Sequence, residues 1–203
     1  MDELDLVLKT LSSEAKRRGY HVHYALKANA HPKLLEKIVQ YGLGADCVSG
    51  NEVVRALESG FAPASIAFAG VGKTDWEIRM ALERKIFSIN VESLEVLLVV
   101  DEIAKSMNRI APIALRLNPD VDAKTHKYIT TGLEENKFGI GLWQLETVLD
   151  QIQQSEHLQL NGLHFHIGSQ IRSLEPFRNL CNRVNQILSR VEELGFQIKH
   201  INA

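Results

Sequence analysis

The chain has 203 residues, of which 45% are hydrophobic and 24% charged, and its formal net charge at pH 7 is -2. This length and composition can bury the core of one globular domain, and the near-neutral charge gives no support to nucleic-acid binding, which usually needs a basic patch. An acidic start without a long apolar run argues against a signal peptide or membrane span, so we expect a cytoplasmic protein. Cys47 and Cys181 lie far apart in the sequence, and we expect both to be reduced thiols.

An amphipathic helix is predicted over the first sixteen or so residues, with Leu4, Leu8, Leu11 and Ala15 on one face and Gly19 at its end. Strands are then predicted at residues 21–27, 44–48, 65–69, 86–91, 112–117, 160–167 and 197–202. Further helices are predicted at 32–41, after 49–52, at 74–84, 94–106, 143–153 and 176–194. Capping-box sequences at 49–52 and 74–77 mark the starts of two of these helices.

The regular alternation of strands and helices predicts βα units around a parallel sheet. Seven strands favour a TIM-type (β/α)8 barrel that lacks its last strand and forms one domain over residues 1–203. An open doubly wound sheet is the alternative, although it would more often carry a glycine-rich turn after its first strand. Here that turn is Ala28-Asn29-Ala30-His31, which contains no glycine.

The longest segment between predicted elements separates the strand at 112–117 from the helix at 143–153. Loops of this length in compact domains are usually functional or disordered, and after a barrel strand they lie on the active-site face. The apolar residues Tyr128, Ile129, Leu133 and Phe138 could anchor this polar, turn-rich segment. We therefore predict a lid or substrate loop.

Two motifs favour ordinary structural roles. Gly70-Val71-Gly72-Lys73-Thr74 resembles part of a phosphate loop, but Ala67 stands where that loop requires a glycine, so we expect a tight turn before the Thr74 cap. The pairs His21/His23 and His164/His166 could suit zinc, because alternation places each pair on one face of a strand. No acidic or cysteine ligand is evident beside them, so we predict no metal site. A hydrogen-bonded core histidine or an aromatic surface for a flat group is expected instead.

Four side chains of different chemistry fall at or near the carboxyl ends of predicted strands, namely Lys27, Asp46, Arg116 and His166. That face of a barrel carries the chemistry. A lysine amine there can attack a carbonyl and hold a cofactor covalently, although the local sequence alone favours a solvated lysine. Together these side chains suit a planar, charged cofactor. Gly168-Ser169 could approach an anion closely, with an ordinary turn as the alternative.

These residues lie in motifs that resemble those of the alanine-racemase-like, fold-type III pyridoxal-phosphate decarboxylases. The segment 24–29 resembles the family's cofactor-lysine motif, 45–49 with Glu52 resembles its next motif, and 164–170 resembles its cofactor-stacking strand. The stretch 118–140 is similar to that of diaminopimelate decarboxylases in particular. The resemblance runs through nearly the whole chain in the family's order.

The resemblance implies roles for the residues of the predicted site. Lys27 would hold pyridoxal 5'-phosphate covalently, His166 would stack on its ring, and Ser169 would help to hold its phosphate. Asp46 would lie close to the cofactor and Lys27, and Arg116 would approach the ring. The implied reaction is decarboxylation of the small amino acid meso-2,6-diaminopimelate to L-lysine, the last step of lysine biosynthesis, by a homodimer.

Two alternatives to this function remain open, one enzymatic and one not. The enzymatic one is a related decarboxylase acting on ornithine, arginine or carboxynorspermidine, against which the 118–140 loop argues. The other is a non-catalytic pyridoxal-phosphate-binding homologue. In the family, more phosphate-binding and substrate-binding residues and a carboxyl-terminal β domain follow the matched region, so we expect an incomplete barrel without turnover on its own. The resemblance assigns no chemical role to Glu52, which its capping box already explains, or to Lys137.

Overall fold

The computed structural model describes residues 3–119, 138–168 and 171–203. The chain forms two compact units, residues 1–89 and residues 90–203. Within each unit the strands alternate with helices and pair in parallel with the next strand along the chain. This arrangement confirms the predicted βα units.

The first unit contains three complete strands and the beginning of a fourth. The strands are β1 (His23–Ala25), β2 (Gly44–Cys47), β3 (Ile66–Phe68) and the first residues of β4 (Ser88–Val91). The helices are α1 (Glu3–Arg18), α2 (Pro32–Gln40), α3 (Gly50–Glu58) and α4 (Asp75–Arg84), with short 3-10 turns at Leu26–Ala28 and Pro63–Ser65. In register, Ala25 lies opposite Asp46, and Phe68 lies opposite both Cys47 and Ile89.

Three helices of the first unit bury apolar residues spaced three positions apart, which places each pair on one helix face. The pairs are Leu35 and Ile38 in α2, Val53 and Ala56 in α3, and Ile78 and Ala81 in α4, each at most 1% exposed. Burying a side chain the size of leucine contributes about 1.5–3 kcal/mol. These helix faces and the buried strands form the core that supports the carboxyl ends of β1 and β2.

The apolar face predicted for helix α1 is wrong at Leu11. Leu8 and Ala15 are 6% and 8% exposed, but Leu11 is 42% exposed. With 3.6 residues per turn, Leu11 lies about 60° around the helix axis from Leu8, whereas Ala15 lies about 20° from it. Leu11 therefore sits at the edge of the buried stripe.

The second unit contains the end of β4 and three further strands. These are β5 (Ala111–Arg116), β6 (Leu158–His164) and β7 (His200–Asn202). The helices are α5 (Leu94–Ser106), α6 (Leu145–Gln154) and α7 (Glu175–Glu193), with a 3-10 turn at Leu142–Gln144. Ile113, Ala114 and Leu115 are each 0% exposed, as expected for a parallel strand covered on both faces.

Several predicted boundaries are wrong at the carboxyl ends of strands. The strand predicted at 21–27 ends at Ala25, and the next three residues form the 3-10 turn that contains Lys27. The strand predicted at 160–167 ends at His164. Residues 120–137 lie outside the described part of the chain, so the lid or substrate loop stays a prediction.

Cys47 is buried, Cys181 is exposed, and both are free thiols as expected.

Among the described helices, none combines the length and apolar character needed to span a membrane.

Candidate functional site

Lys27 lies in the 3-10 turn that directly follows β1, with its side chain exposed. Leu26, only 1% exposed, anchors the turn in the core. The Tyr24 hydroxyl donates to the carbonyl of Asn29 at 3.1 Å, and the Asn29 Oδ1 accepts from the backbone N–H of His31 at 3.0 Å. These bonds fix the backbone on both sides of the exposed Lys27.

Asp46 lies in β2, directly opposite Ala25 in β1. Its side chain is half-buried, whereas its neighbours Ala45 and Cys47 are 0% exposed. Because Ala25 is two residues before Lys27, the β1–β2 register brings Asp46 and Lys27 to the same end of this strand pair. A carboxylate and a primary amine are thus available at one edge of the first unit.

Glu52 serves the start of α3 rather than a chemical site. Its Oε2 accepts from the backbone N–H of Val48 at 2.7 Å, and the Ser49 Oγ accepts from the backbone N–H of Glu52 at 3.3 Å. The predicted capping box is therefore modified, because Glu52 bonds to the residue before the cap. A carboxylate at a helix N-terminus is stabilised by the local N–H groups, which supports the structural role.

The glycine-rich segment before α4 forms a tight turn. Gly70 has φ +102°, and a Cβ there would lie 2.6 Å from the carbonyl oxygen of Val48, so glycine is required. The Lys73 Nζ donates to the Gly70 carbonyl at 2.5 Å and lies 5.4 Å from the centre of the Phe68 ring. This lysine folds back onto its own turn, which agrees with the structural interpretation of the motif.

His23, one of the histidines weighed as a zinc ligand, has a structural environment. Its Nδ1 lies 3.2 Å from the Ala45 carbonyl oxygen, and its ring lies 5.9 Å from that of Phe87. Burial lowers the pKa of His23, although the hydrogen bond to Ala45 opposes this effect. Among the residues with described positions, no group of three or more His, Cys, Asp or Glu side chains could hold a metal ion.

In the second unit, Arg116 is the last residue of β5 and lies opposite His164 of β6. The Arg116 Cζ lies 5.8 Å from the centre of the Phe138 ring. The His164 Nδ1 lies 3.1 Å from Nδ2 of Asn90, which is 1% exposed. With the amide nitrogen as donor, Nδ1 is the acceptor, and a neutral His164 ring carries its proton on Nε2.

His166 lies two residues beyond the end of β6 and is half-buried, between Phe165 at 1% and Ile167 at 4% exposure. The backbone N–H of Phe165 donates to the carbonyl of Asn202 at 2.8 Å, which fixes this segment against β7. Gly168 has φ +112°, a conformation that favours glycine. Ser169 lies outside the described residues, so its predicted phosphate contact is not placed.

Sequence reasoning missed three contacts around these residues, namely Tyr24 with Asn29, Asn90 with His164, and Arg116 with Phe138. Phe138 was expected as an apolar anchor of the long loop, but it is 45% exposed and lies over a cation. Its place in the sequence Asn136-Lys137-Phe138-Gly139-Ile140, within the segment that resembles diaminopimelate decarboxylases, was the available signal.

Two surface grooves are lined by other residues. One groove of about 360 Å³ has the Leu142–Gln144 turn and α6 on one side and α7 on the other. The second groove, of about 390 Å³, lies between α1 and the end of α2. Neither is lined by Lys27, Asp46, Arg116 or His166. The candidate residues of each unit are therefore defined by strand ends and side-chain chemistry rather than by either groove.

Comparison with known families gives one match over almost the whole chain. The model of the pyridoxal-dependent decarboxylase, pyridoxal binding domain, matches residues 4–203. The diaminopimelate decarboxylase of Bacteroides thetaiotaomicron is 51% identical over 188 residues, which cover 93% of this chain and 49% of that protein. The diaminopimelate decarboxylase of Aquifex aeolicus is 40% identical, over 93% of this chain and 46% of its own length. The chain thus spans about half the length of these relatives.

Solved structures agree with the sequence comparison. Diaminopimelate decarboxylase from Helicobacter pylori, complexed with L-lysine, superposes with a TM-score of 0.87 at 38% identity, covering 96% of this chain and 50% of that one. Diaminopimelate decarboxylase from M. jannaschii, in co-complex with L-lysine, superposes with a TM-score of 0.88 at 33% identity, covering 98% of this chain and 48% of that one. An arginine decarboxylase from Paramecium bursaria Chlorella virus superposes with a TM-score of 0.79 at 20% identity, covering 96% of this chain and 50% of that one. At this identity the likeness shows the fold alone.

These likenesses confirm the predicted fold class, an incomplete TIM-type barrel of the α/β class. They also confirm the cofactor as pyridoxal phosphate, because the matched family is defined by its binding. The sequence motifs, the parallel βα units and the exposed lysine after β1 all agree with that match. The chain belongs to the pyridoxal-dependent decarboxylases, and the part described here corresponds to their pyridoxal-binding domain.

Proposed function

We propose that the protein to which this chain belongs decarboxylates meso-2,6-diaminopimelate to L-lysine, with pyridoxal phosphate held covalently by Lys27. The observation that carries this proposal is the exposed position of Lys27 in the turn directly after β1. It stands in a domain whose family binds pyridoxal phosphate. The substrate is inferred from relatives named diaminopimelate decarboxylase at 40–51% identity.

The described side chains fit the chemical groups of pyridoxal phosphate. Its aldehyde can form a covalent bond with a primary amine such as that of Lys27. A half-buried imidazole, His166, offers a flat surface for its ring, and Arg116 offers a cation for its negative charge. Gly168, without a Cβ and with φ +112°, lets backbone approach the phosphate. We propose that Ser169 helps to hold that phosphate.

When bound, pyridoxal phosphate supplies an electron sink for the charge that remains on the substrate carbon when carbon dioxide leaves. The residues of the chain then have to bind the reacting groups and move protons. Lys27 Nζ would hold the cofactor until the substrate amine takes its place, and the amine released from that bond would deliver or take a proton at that carbon. Asp46 offers a carboxylate at the same end of the β1–β2 pair as Lys27.

Two other functions fit the fold. A decarboxylase for ornithine, arginine or carboxynorspermidine shares the architecture, but the arginine decarboxylase neighbour is only 20% identical, and fold alone does not determine substrate. A non-catalytic pyridoxal-phosphate binder would also retain Lys27. The identities with diaminopimelate decarboxylases favour that enzyme over both.

The test measures carbon dioxide release by the whole natural protein, loaded with pyridoxal phosphate, from meso-diaminopimelate, ornithine, arginine and carboxynorspermidine. We expect release from diaminopimelate at least about 100-fold faster than from the others, because a site built for polar groups strongly rejects substrates that leave them unpaired. Faster release from another amino acid would replace the substrate assignment. Cofactor binding without release from any of the four would favour a non-catalytic binder.

A second measurement tests Lys27 independently of turnover. Borohydride reduction followed by peptide mass spectrometry should place the cofactor on Lys27 in the wild type. Lys27→Ala should abolish the label, whereas Lys33→Ala, which removes another exposed lysine at the start of α2, should leave it unchanged. A label that persists in Lys27→Ala would refute the assignment.

The assembly and the activity of the isolated chain remain proposals as well. We propose a cytoplasmic homodimer for the whole protein and no turnover for the 203-residue chain by itself. Sedimentation velocity of the whole protein and the carbon dioxide assay on the isolated chain would check these two points.

A further inference from the structure

The Arg116 side chain has an aromatic neighbour that comes from a different segment of the second unit. Its Cζ lies 5.8 Å from the centre of the Phe138 ring, within the range of a cation–π contact. Arg116 ends β5, whereas Phe138 lies 22 residues later and outside the named helices and strands. The ring is 45% exposed, so core packing does not account for its position.

The backbone holds Phe138 beside Arg116. The N–H of Ile140 donates to the Arg116 carbonyl at 2.8 Å, and the N–H of Asn118 donates to the Ile140 carbonyl at 3.0 Å. These bonds form a parallel bridge between Leu117 and Ile140, both of which are 1% exposed. The ring is therefore presented by a segment that is itself anchored in the core.

Gly139 shows how closely this segment approaches the end of β5. Its φ is +102°, and a Cβ there would lie 3.1 Å from the Arg116 carbonyl oxygen and 3.2 Å from the Asn118 nitrogen. A side chain at this position would push residues 138–140 away from Arg116. The glycine thus allows the approach that places the Phe138 ring over the guanidinium.

We propose that Phe138 is a positioning residue that orients the Arg116 guanidinium toward the negatively charged cofactor. This inference rests on the proposed role of Arg116. An arginine side chain has several rotatable bonds, and holding it in one orientation before binding reduces the entropy lost when it meets an anion. Phe138 supplies that restraint.

An aromatic ring suits this task better than a carboxylate would. A carboxylate would neutralise the guanidinium and occupy its N–H donors, whereas a ring face attracts the cation without accepting any N–H hydrogen bond. The edge of a stacked guanidinium can still form bidentate bonds with an anion. Phe138 can therefore fix the cation and preserve its capacity to bind the cofactor.

The experiment is a double-mutant cycle in the whole natural protein, with the dissociation constant of pyridoxal phosphate measured by absorbance. We expect Phe138→Leu to raise this constant about tenfold, because leucine keeps apolar bulk but loses the ring face. Phe138→Trp should remain within about twofold of wild type, because tryptophan offers the strongest cation–π face. In the Arg116→Met background, Phe138→Leu should have no further effect.

The matched control is Phe177→Leu, because Phe177 in α7 is also 45% exposed and has no cation over its ring among the described residues. It should leave cofactor affinity unchanged, and melting of the cofactor-free protein should show that every variant folds. Equal weakening by Phe138→Leu with and without Arg116 would overturn the positioning role while leaving Arg116 as a cofactor contact. No effect of Arg116→Met would overturn both assignments, and failure of the wild type to bind the cofactor would refute the proposed function itself.

Discussion

The Tyr24 hydroxyl spans the turn that carries Lys27, because it donates to the Asn29 carbonyl at 3.1 Å. We expect Tyr24→Phe to lower the free energy of unfolding by about 0.5–1.5 kcal/mol, the usual contribution of one hydrogen bond. Because the lost bond constrains the Lys27 backbone, covalent attachment of pyridoxal phosphate should slow by about two- to thirteenfold over that energy range. Stopped-flow absorbance gives the attachment rate, and urea denaturation gives the stability.

Tyr20→Phe is the control for this prediction, because Tyr20 is 66% exposed and precedes the strand. It should change neither quantity. If Tyr24→Phe lowers stability but attachment proceeds at the wild-type rate, the hydroxyl supports the fold without positioning Lys27.

At the residue scale, the sequence predicted which side chains lie near strand ends, but not the contacts that these side chains make. Lys27, Asp46, Arg116 and His166 were selected because each falls near the end of a strand, where a barrel carries its active site. The contact of Arg116 with Phe138 could not be selected in the same way, since it depends on a bridge between residues 117 and 140 that no periodicity encodes. The bond of the Tyr24 hydroxyl could not be predicted either, because a hydroxyl bond across a 3-10 turn leaves no pattern in the sequence.

Among the elements, α3 and α4 share one carboxylate at their N-termini. Glu77, 8% exposed, accepts from the Thr74 N–H at 2.8 Å, from the Thr74 hydroxyl at 2.7 Å and from the Gly50 N–H at 2.6 Å. Gly50 must be glycine, because a Cβ would lie 2.6 Å from Glu77 Cγ. The carboxylate thus satisfies donors at the starts of two helices.

The pKa of Glu77 follows from this environment. Burial acts to raise the pKa, but the bonds from the Thr74 and Gly50 backbones, the Thr74 hydroxyl and the charge of Lys73 together lower it below the ordinary value of 4.5. Because the folded-state pKa is depressed, the stabilisation is complete above the unfolded-state pKa. It is lost as pH falls through the folded-state pKa.

We predict that Glu77→Gln lowers the free energy of unfolding at pH 7 by about 2–3 kcal/mol, because an amide group would face one of these donors with its own N–H. The difference between wild type and variant should begin to shrink as pH falls below 4.5, where the carboxyl of the unfolded state becomes protonated, and should be lost as pH falls through the lower pKa of the folded state. Urea denaturation from pH 7 to pH 3 measures both effects.

Glu83→Gln is the matched control on the same helix, because Glu83 is exposed in the last turns of α4. It should change stability at pH 7 by less than about 0.5 kcal/mol. A Glu77→Gln deficit that stays constant down to pH 3 would show that lost packing, rather than the ionised carboxylate, destabilises the variant.

The sequence predicted the type and order of the helices and strands correctly, but it predicted their ends less accurately. The seven strands follow from apolar runs between helical patterns, whereas the short 3-10 turn at Leu26–Ala28 continues the apolar run of β1 and so looks like strand in the sequence. The Thr74 cap was identified from its spacing. The bond from the Gly50 N–H of another helix to Glu77 was not predicted, because tertiary contacts of that kind depend on how helices pack.

For the molecule as a whole, fold and substrate are separate questions. The fold is shared with an arginine decarboxylase at 20% identity, so the architecture does not determine which amino acid reacts. The matched family is that of the pyridoxal-dependent decarboxylases, and we expect pyridoxal phosphate to bind the folded state and not the unfolded chain. Binding must therefore stabilise the folded protein by mass action.

The last prediction uses this linkage between cofactor binding and folding. At a pyridoxal phosphate concentration 100 times its dissociation constant, the folded state gains about 2.7 kcal/mol, which for a chain of this length raises the melting temperature by about 5–10 °C. Pyridoxine phosphate lacks the aldehyde that reacts with Lys27, so at the same concentration it should raise the melting temperature less. In Lys27→Ala the two compounds should give equal, small shifts, because only non-covalent contacts remain. Differential scanning fluorimetry measures all four combinations, and a larger shift with the aldehyde in Lys27→Ala would contradict covalent attachment at this residue.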